Sequence, residues 1–234
     1  MTQEDRDLSV LEEKIGVIFS DKDLLRQALT HRSYINENRG FSNGHNERLE
    51  FLGDAVLELA VTDYLFNKYP ERPEGDLTSF RAALVNTSAL SEVAIAIEVN
   101  DYILLSKGES KDTGRARSYI LADVVEALIG AIYIDKGFEK SRGFINSFVL
   151  SRTEEIVEKN LWMDAKSRFQ ELAQAKEGQT PAYKVLEESG PDHAKKFISG
   201  VFLAEKLAGQ GEGESKQDAE QNAATDALKK RDWK

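Results

Sequence analysis

Carboxylates set into apolar helical segments constrain this chain more than any other feature. In residues 46–54, Asn-Glu-Arg-Leu-Glu-Phe-Leu-Gly-Asp, Glu47, Glu50 and Asp54 fall within roughly 60° of one another on a helix, because spacings of three and four residues return to one face. Such a stripe is usually a solvated face. Here Phe51, Leu52, Ala55, Val56, Leu57, Leu59, Ala60 and Val61 surround it, and a helix apolar on every side is normally interior. Like charges held together away from bulk water are costly unless some are protonated or a cation sits among them.

A second segment complements the first. Residues 119–134 read YILADVVEALIGAIYI, apolar except for Asp123 and Glu126, which share a face because they lie three residues apart. The run is too short, and its two acids too costly, for a membrane span. Paired acids in an apolar core helix need partners. Two Arg or Lys side chains would serve, as a structural ion-pair network. Converging carboxylates from both helices, with no Cys and no clustered His, describe instead an oxygen-only site suited to Mg²⁺, with Mn²⁺ as a substitute. Zinc fits less well.

The chain of 234 residues is 41% apolar, enough for a genuine core. It has no signal-like N-terminus and no apolar run of about 18 residues, so a soluble, cytoplasmic protein without membrane partners is expected. The absence of Cys excludes a disulfide framework and a thiol nucleophile. A net charge of −10 excludes a uniformly basic nucleic-acid binder. Residues 164–234 nevertheless carry 12 Lys or Arg against 13 Asp or Glu, leaving about −9 of that charge before residue 164.

Sequence grammar changes at the same place. Apolar-periodic segments at roughly 8–18, 22–30, 46–69, 77–83, 87–97, 117–136 and 138–157, with helix-start signals at Ser20-Asp21-Lys22-Asp23 and Asn86-Thr87-Ser88, predict an all-α domain over residues 1–159. A second domain is expected over 164–234. There Ala165–Lys176 reads as a helix, Tyr183–Leu186, Phe197–Ala204 and Glu205–Gly211 as strands, and Ser215 with Asp218 as a capping-box start for a final helix. The order α-β-β-β-α describes a small two-layer α+β domain. Gly209-Gln210-Gly211-Glu212-Gly213 fails as a nucleotide-phosphate loop, because its acids repel phosphate and no Gly-Lys-Ser/Thr follows. It reads as a tight turn, and no nucleotide cofactor is expected.

These residues resemble a known family. Asn46 to Leu57, Leu29-Thr30-His31-Arg32-Ser33, Glu74-Gly75-Asp76-Leu77-Thr78 and Leu121 to Gly130 are similar to bacterial ribonuclease III. The tail resembles a double-stranded-RNA-binding domain through Gln170-Glu171-Leu172-Ala173-Gln174, Thr180-Pro181-Ala182-Tyr183, Gly190-Pro191-Asp192-His193, Phe197 and Gly211 to Lys216. The resemblance implies a Mg²⁺ site at Glu50, Asp54, Asp123 and Glu126 that hydrolyses duplex RNA to 5′-phosphate and 3′-hydroxyl ends, in ribosomal RNA precursors and other structured transcripts. It implies catalytic roles for Asp54 and Glu126, and supporting ones around the scissile strand for Glu47 and Glu74. Glu58 shares the stripe but matches no catalytic position, so a salt bridge or solvent is expected for it.

In the tail, the resemblance places Gln170, Glu171, Gln174 and His193 at the RNA minor groove, and Lys195, Lys196, Ser215 and Lys216 near phosphates. His31 and His45 are expected to cap or hydrogen-bond rather than ligate metal. A homodimer is implied, with Phe51 inserting into the partner, although Phe51 equally fits a plain core aromatic. The chain departs from the family pattern at Lys216-Gln217-Asp218, where adjacent basic residues usually clamp phosphates. Residues 164–234 should therefore bind duplex RNA weakly and with a flattened salt dependence; a salt slope equal to that of a fully basic clamp would contradict this. Two other readings stay open: a double-stranded-RNA-binding protein without cleavage, and a helical scaffold whose acids form ion pairs.

Overall fold

The computed structural model describes residues 6–111, 113–191 and 195–233. It divides into two compact units, Met1–Trp162 and Met163–Lys234. The first contains α1 (Leu8–Ile15), α2 (Lys22–Ala28), α3 (Arg32–Glu37), α4 (Glu47–Lys68), α5 (Glu74–Val85), α6 (Thr87–Ala96), α7 (Arg115–Lys136), α8 (Phe138–Phe148) and α9 (Thr153–Glu158). Asp21 and Asn86 cap α2 and α6, as their side-chain oxygens accept from the backbone amides of Asp23 and Leu24 and of Ala89. The axis of this unit is α7, whose Val124, Val125, Ala127, Leu128, Ile129, Ala131 and Ile132 are all buried. Helix α4 lies along it and buries Leu49, Val56, Leu57, Ala60, Val61 and Leu65.

Two local expectations in this unit are corrected, and one helix is added. Helix α1 stops at Ile15, because Gly16 takes a left-handed φ of 69° and its amide closes the end onto Glu12 and Glu13. The segment 138–157 is not one helix: α8 ends at Phe148, Leu150–Arg152 forms a 3₁₀ turn, and α9 follows. There the buried Thr153 hydroxyl donates to the Leu150 carbonyl at 2.7 Å, and the break lets Val149, Leu150 and Ile156 all face the core. Helix α3 is too short for a periodic signal. It is defined by its cap, where His31 Nδ1 accepts from the Ser33 amide, and by a parallel bridge between Thr30 and Leu104 that anchors the preceding segment.

The second unit contains α10 (Ala165–Glu177), β1 (Ala182–Ser189), β2 (Lys196–Leu203), β3 (Lys206–Gly213) and α11 (Lys216–Lys230). The antiparallel sheet has the order β1-β2-β3. Phe169, Ala173, Val201, Leu203, Ala208, Ala223, Ala224, Ala227 and Leu228 form its core between sheet and helices. Full burial of Phe169 alone stabilises this small unit by about 2–3 kcal/mol. The glycine-rich stretch is a strand rather than the expected turn. A Cβ at Gly209, Gly211 or Gly213 would collide with backbone at Ala227, Ala223 or Ala219 of α11, so alternate glycines let the alanine stripe of α11 rest directly on β3.

Candidate functional site

Helices α4 and α7 cross at a glycine on each. A Cβ on Gly53 would overlap the Glu126 carbonyl oxygen, and one on Gly130 would overlap that of Leu49. The two backbones come too close at this crossing to admit even a methyl group between them. This contact sets carboxylates from both helices face to face. One oxygen each from Glu50, Asp123 and Glu126 lies within 4.8 Å of the others, a group that can hold a metal ion. Asp54, one turn further along α4 and exposed, stands outside the group.

Electrostatics mark the same residues. Burial first, then Asp54, Asp123 and Glu50, raise the Glu126 carboxyl to about 8. Burial, then Asp123, Glu47 and Asp54, raise Glu50 to about 7. Asp123 is raised by burial and by Glu47, and Asp54 by burial and by Glu58. Among the described residues, the charged neighbours acting on Glu50 and Glu126 are carboxylates, not Arg or Lys, which speaks against the ion-pair reading. A half-buried set of carboxylate oxygens without a countercharge fits a hard divalent cation.

The remaining acids lie apart. Glu47 is exposed and accepts from Arg32 Nη1 at 3.1 Å, with His45 Nδ1 at 3.8 Å. Glu74 opens α5, exposed and outside the group. Glu58 is exposed and adds only its charge on Asp54. Helix α4 is not interior on every side, contrary to expectation: Phe51 is 82% exposed, with Leu59 and Phe66 also outward. Burial against α7 uses one face only, and that excludes Phe51 from the core. Beside it lies a cavity of about 600 Å³ lined by Leu24, Gln27, Leu49, Leu52 and Ile134 among others.

In the second unit Gln170, Glu171 and Gln174 stand exposed on α10. His193 lies outside the described residues. Ser215 caps α11: its hydroxyl accepts from the Asp218 amide at 3.1 Å and donates to the Asp218 carboxylate at 2.8 Å. Lys216 Nζ sits 5.7 Å from the Phe197 ring centre. Strand alternation puts Phe197, Ser199, Val201 and Leu203 on the helix-facing side of β2 and Lys196 on the other. Lys196 pairs there with Glu212 at 3.0 Å, on the opposite face of the sheet from Phe197, over which Lys216 sits. Lys195 pairs with Glu188 at 2.9 Å.

Residues 21–153 match the family described as Ribonuclease-III-like, and residues 165–231 match the double-stranded RNA binding motif. The chain is 46% identical to Ribonuclease 3 of Pelotomaculum thermopropionicum, covering 96% of this chain and 93% of that protein. The chain belongs to the ribonuclease III family. Similarity extends to Ribonuclease 3 of Bacillus cereus, 48% identical across 94% of this chain and 90% of the relative. Among solved structures, the nuclease domain of ribonuclease III from Campylobacter jejuni superposes with a TM-score of 0.57 at 41% identity, covering 62% of this chain and 97% of that one. That structure shows flexibility in a region involved in dimer formation of the nuclease domain. Family membership implies divalent-metal chemistry at an acidic cluster, and among the described residues no helix is long and apolar enough to cross a membrane.

In this member of the ribonuclease III family, reasoning from sequence missed Gly53 and Gly130, whose backbone contact places the acids. The available signal was a glycine inside each strongly helical run, a choice that costs about 1 kcal/mol and needs a packing reason. The raised carboxyls also set a pH dependence. Glu126 moves from an ordinary 4.5 to about 8 and Glu50 to about 7, so between those limits the folded state binds more protons than the unfolded one. Stability without metal should fall as pH rises through that window. In EDTA the melting temperature is expected to drop between pH 5 and pH 8.5, Glu126→Gln should remove much of the drop, and Mg²⁺ should restore the wild type at the higher pH. An unchanged pH slope in Glu126→Gln would contradict the assignment.

Proposed function

We propose that the chain hydrolyses phosphodiester bonds in double-stranded RNA with Mg²⁺, for which Mn²⁺ can substitute, held by Glu50, Asp123 and Glu126. The observation that carries this reading is the meeting of those three carboxylates within 4.8 Å in a chain whose tail matches a double-stranded RNA binding motif. When bound, the cation lowers the pKa of water and offsets charge on the phosphate and leaving oxygen. Glu126, whose carboxyl is raised furthest, would hold the cation as a carboxylate, with its proton released to solvent. Asp54 sits at the exposed edge, where it orients the attacking water. Glu47, held by Arg32, and Glu74 support the scissile strand. Water adds to phosphorus, the bond to the 3′-oxygen breaks, and 5′-phosphate and 3′-hydroxyl ends result.

The working form is a homodimer with one site per subunit, supported by the exposed Phe51 ring beside an apolar cavity able to accept one. Its setting is the cytoplasm, and its substrates are ribosomal RNA precursors and other structured transcripts. Gln170, Glu171, Gln174 and His193 meet the minor groove, while Lys195, Ser215 and Lys216 approach phosphates. Incubation with a long duplex RNA is expected to give short duplex products with Mg²⁺ and none with EDTA. Binding without cleavage in Mg²⁺ would favour an RNA-binding protein instead, and cleavage that survives EDTA would sink the metal assignment.

A further inference from the structure

Glu188 lies near the start of α11 in the second unit. In the sheet register it stands directly opposite Phe197, and cross-strand partners project from the same face. That is the helix-facing side, where the Phe197 ring carries Lys216 Nζ at 5.7 Å. Glu188 also accepts from Lys195 Nζ at 2.9 Å. The Lys195 hydrogen bond, then the Lys195 charge and the more distant Lys216 charge, hold the Glu188 carboxyl below its ordinary range. One exposed carboxylate thus lies in the field of two lysines, Lys195 just before β2 and Lys216 at the start of α11. An RNA phosphate entering between Lys195 and Lys216 would meet the same donors.

We propose that Glu188 is an internal stand-in for an RNA phosphate, an affinity-setting residue that duplex RNA must displace to gain Lys195 and Lys216. This rests on the reading of Lys195 and Lys216 as phosphate contacts. The energetics are those of an exposed ion pair, small but opposed to binding. A lysine already neutralised by Glu188 contributes less to counterion release, so the carboxylate flattens the salt dependence as well as weakening affinity. Asp218, engaged with the Ser215 hydroxyl at the start of α11, adds negative charge to the same end. A built-in control exists on the opposite face of the sheet, where Glu212 pairs with Lys196 in the same way.

The test uses the full chain in EDTA with a blunt duplex RNA of about 20 base pairs, longer than one such domain spans, and measures affinity across a salt series. Glu188→Gln is expected to bind about fivefold more tightly and to steepen the log–log salt slope by about one. Glu212→Gln removes the same charge and is expected to leave affinity within about twofold and the slope unchanged. Equal effects of the two substitutions, or a Glu188→Gln slope equal to wild type, overturn the proposal. A Lys195→Ala, Lys216→Ala double variant separates the two levels. If it weakens binding while Glu188→Gln does nothing, only the role of Glu188 fails; if it binds like wild type, the phosphate contacts fail and the proposal fails with them.

Discussion

Glu126→Gln is expected to abolish cleavage while leaving the fold and duplex binding in place. The side chain keeps its length and one carbonyl oxygen, so packing in α7 between the buried Val125 and Ala127 is undisturbed. What disappears is the charge of the acid that burial, and then its carboxylate neighbours, raise furthest. On the proposed assignment a cation would keep only Glu50 and Asp123 of its three charged ligands, and metal chemistry of this kind lowers the barrier by several kcal/mol. Single-turnover cleavage should fall on the order of 10³-fold. The metal-free variant should melt higher than wild type above pH 7, because position 126 no longer holds a carboxylate to be desolvated beside Glu50 and Asp123. Cleavage within tenfold of wild type would remove Glu126 from the site.

The second large effect belongs to residues that touch no metal. Gly53→Ala or Gly130→Ala drives a methyl group into the backbone of the facing helix, and backbone cannot swing aside as a side chain would. The helices must separate or the fold must strain. A loss of about 3 kcal/mol is expected in urea unfolding, with cleavage lost even where the protein remains folded, because Glu50 and Glu126 move apart. Gly143 in α8 is the control: nothing lies within 4 Å of its added Cβ. Gly143→Ala should be neutral, or stabilising by about 0.5 kcal/mol through helix propensity. If Gly53→Ala behaves like Gly143→Ala, the crossing does not position the acids.

Much of this was readable from the sequence, and the exceptions have physical causes. Periodicity places Glu50 and Asp54 on one face of α4, and Asp123 and Glu126 on one face of α7, because those angles depend on the helix alone. It does not say which face another helix will cover, and so Phe51 was ambiguous between core and surface until α7 was seen to take the glycine side. Caps at Asp21, Asn86 and Ser215 were legible because they depend on neighbours two or three residues away. The break after Phe148 was not, since Thr153 and Leu150 settle it by burial. In the tail, the family resemblance groups Lys195 with Lys196, but strand alternation sends Lys196 to the other face of the sheet, and Glu188 becomes visible only through its cross-strand register.

The contact of Gly53 with Gly130 also bears on how such an enzyme can change over time. Distances set by side chains can be retuned through many small core substitutions, each nearly neutral. Here the interval between the two acidic pairs is measured out by main chain against main chain, a rigid gauge with no adjustable part. Variation that preserves this centre is therefore channelled elsewhere, into the tail and the exposed face of α4. A lineage can change which RNAs it grips, and how tightly, while the cutting geometry stays the same.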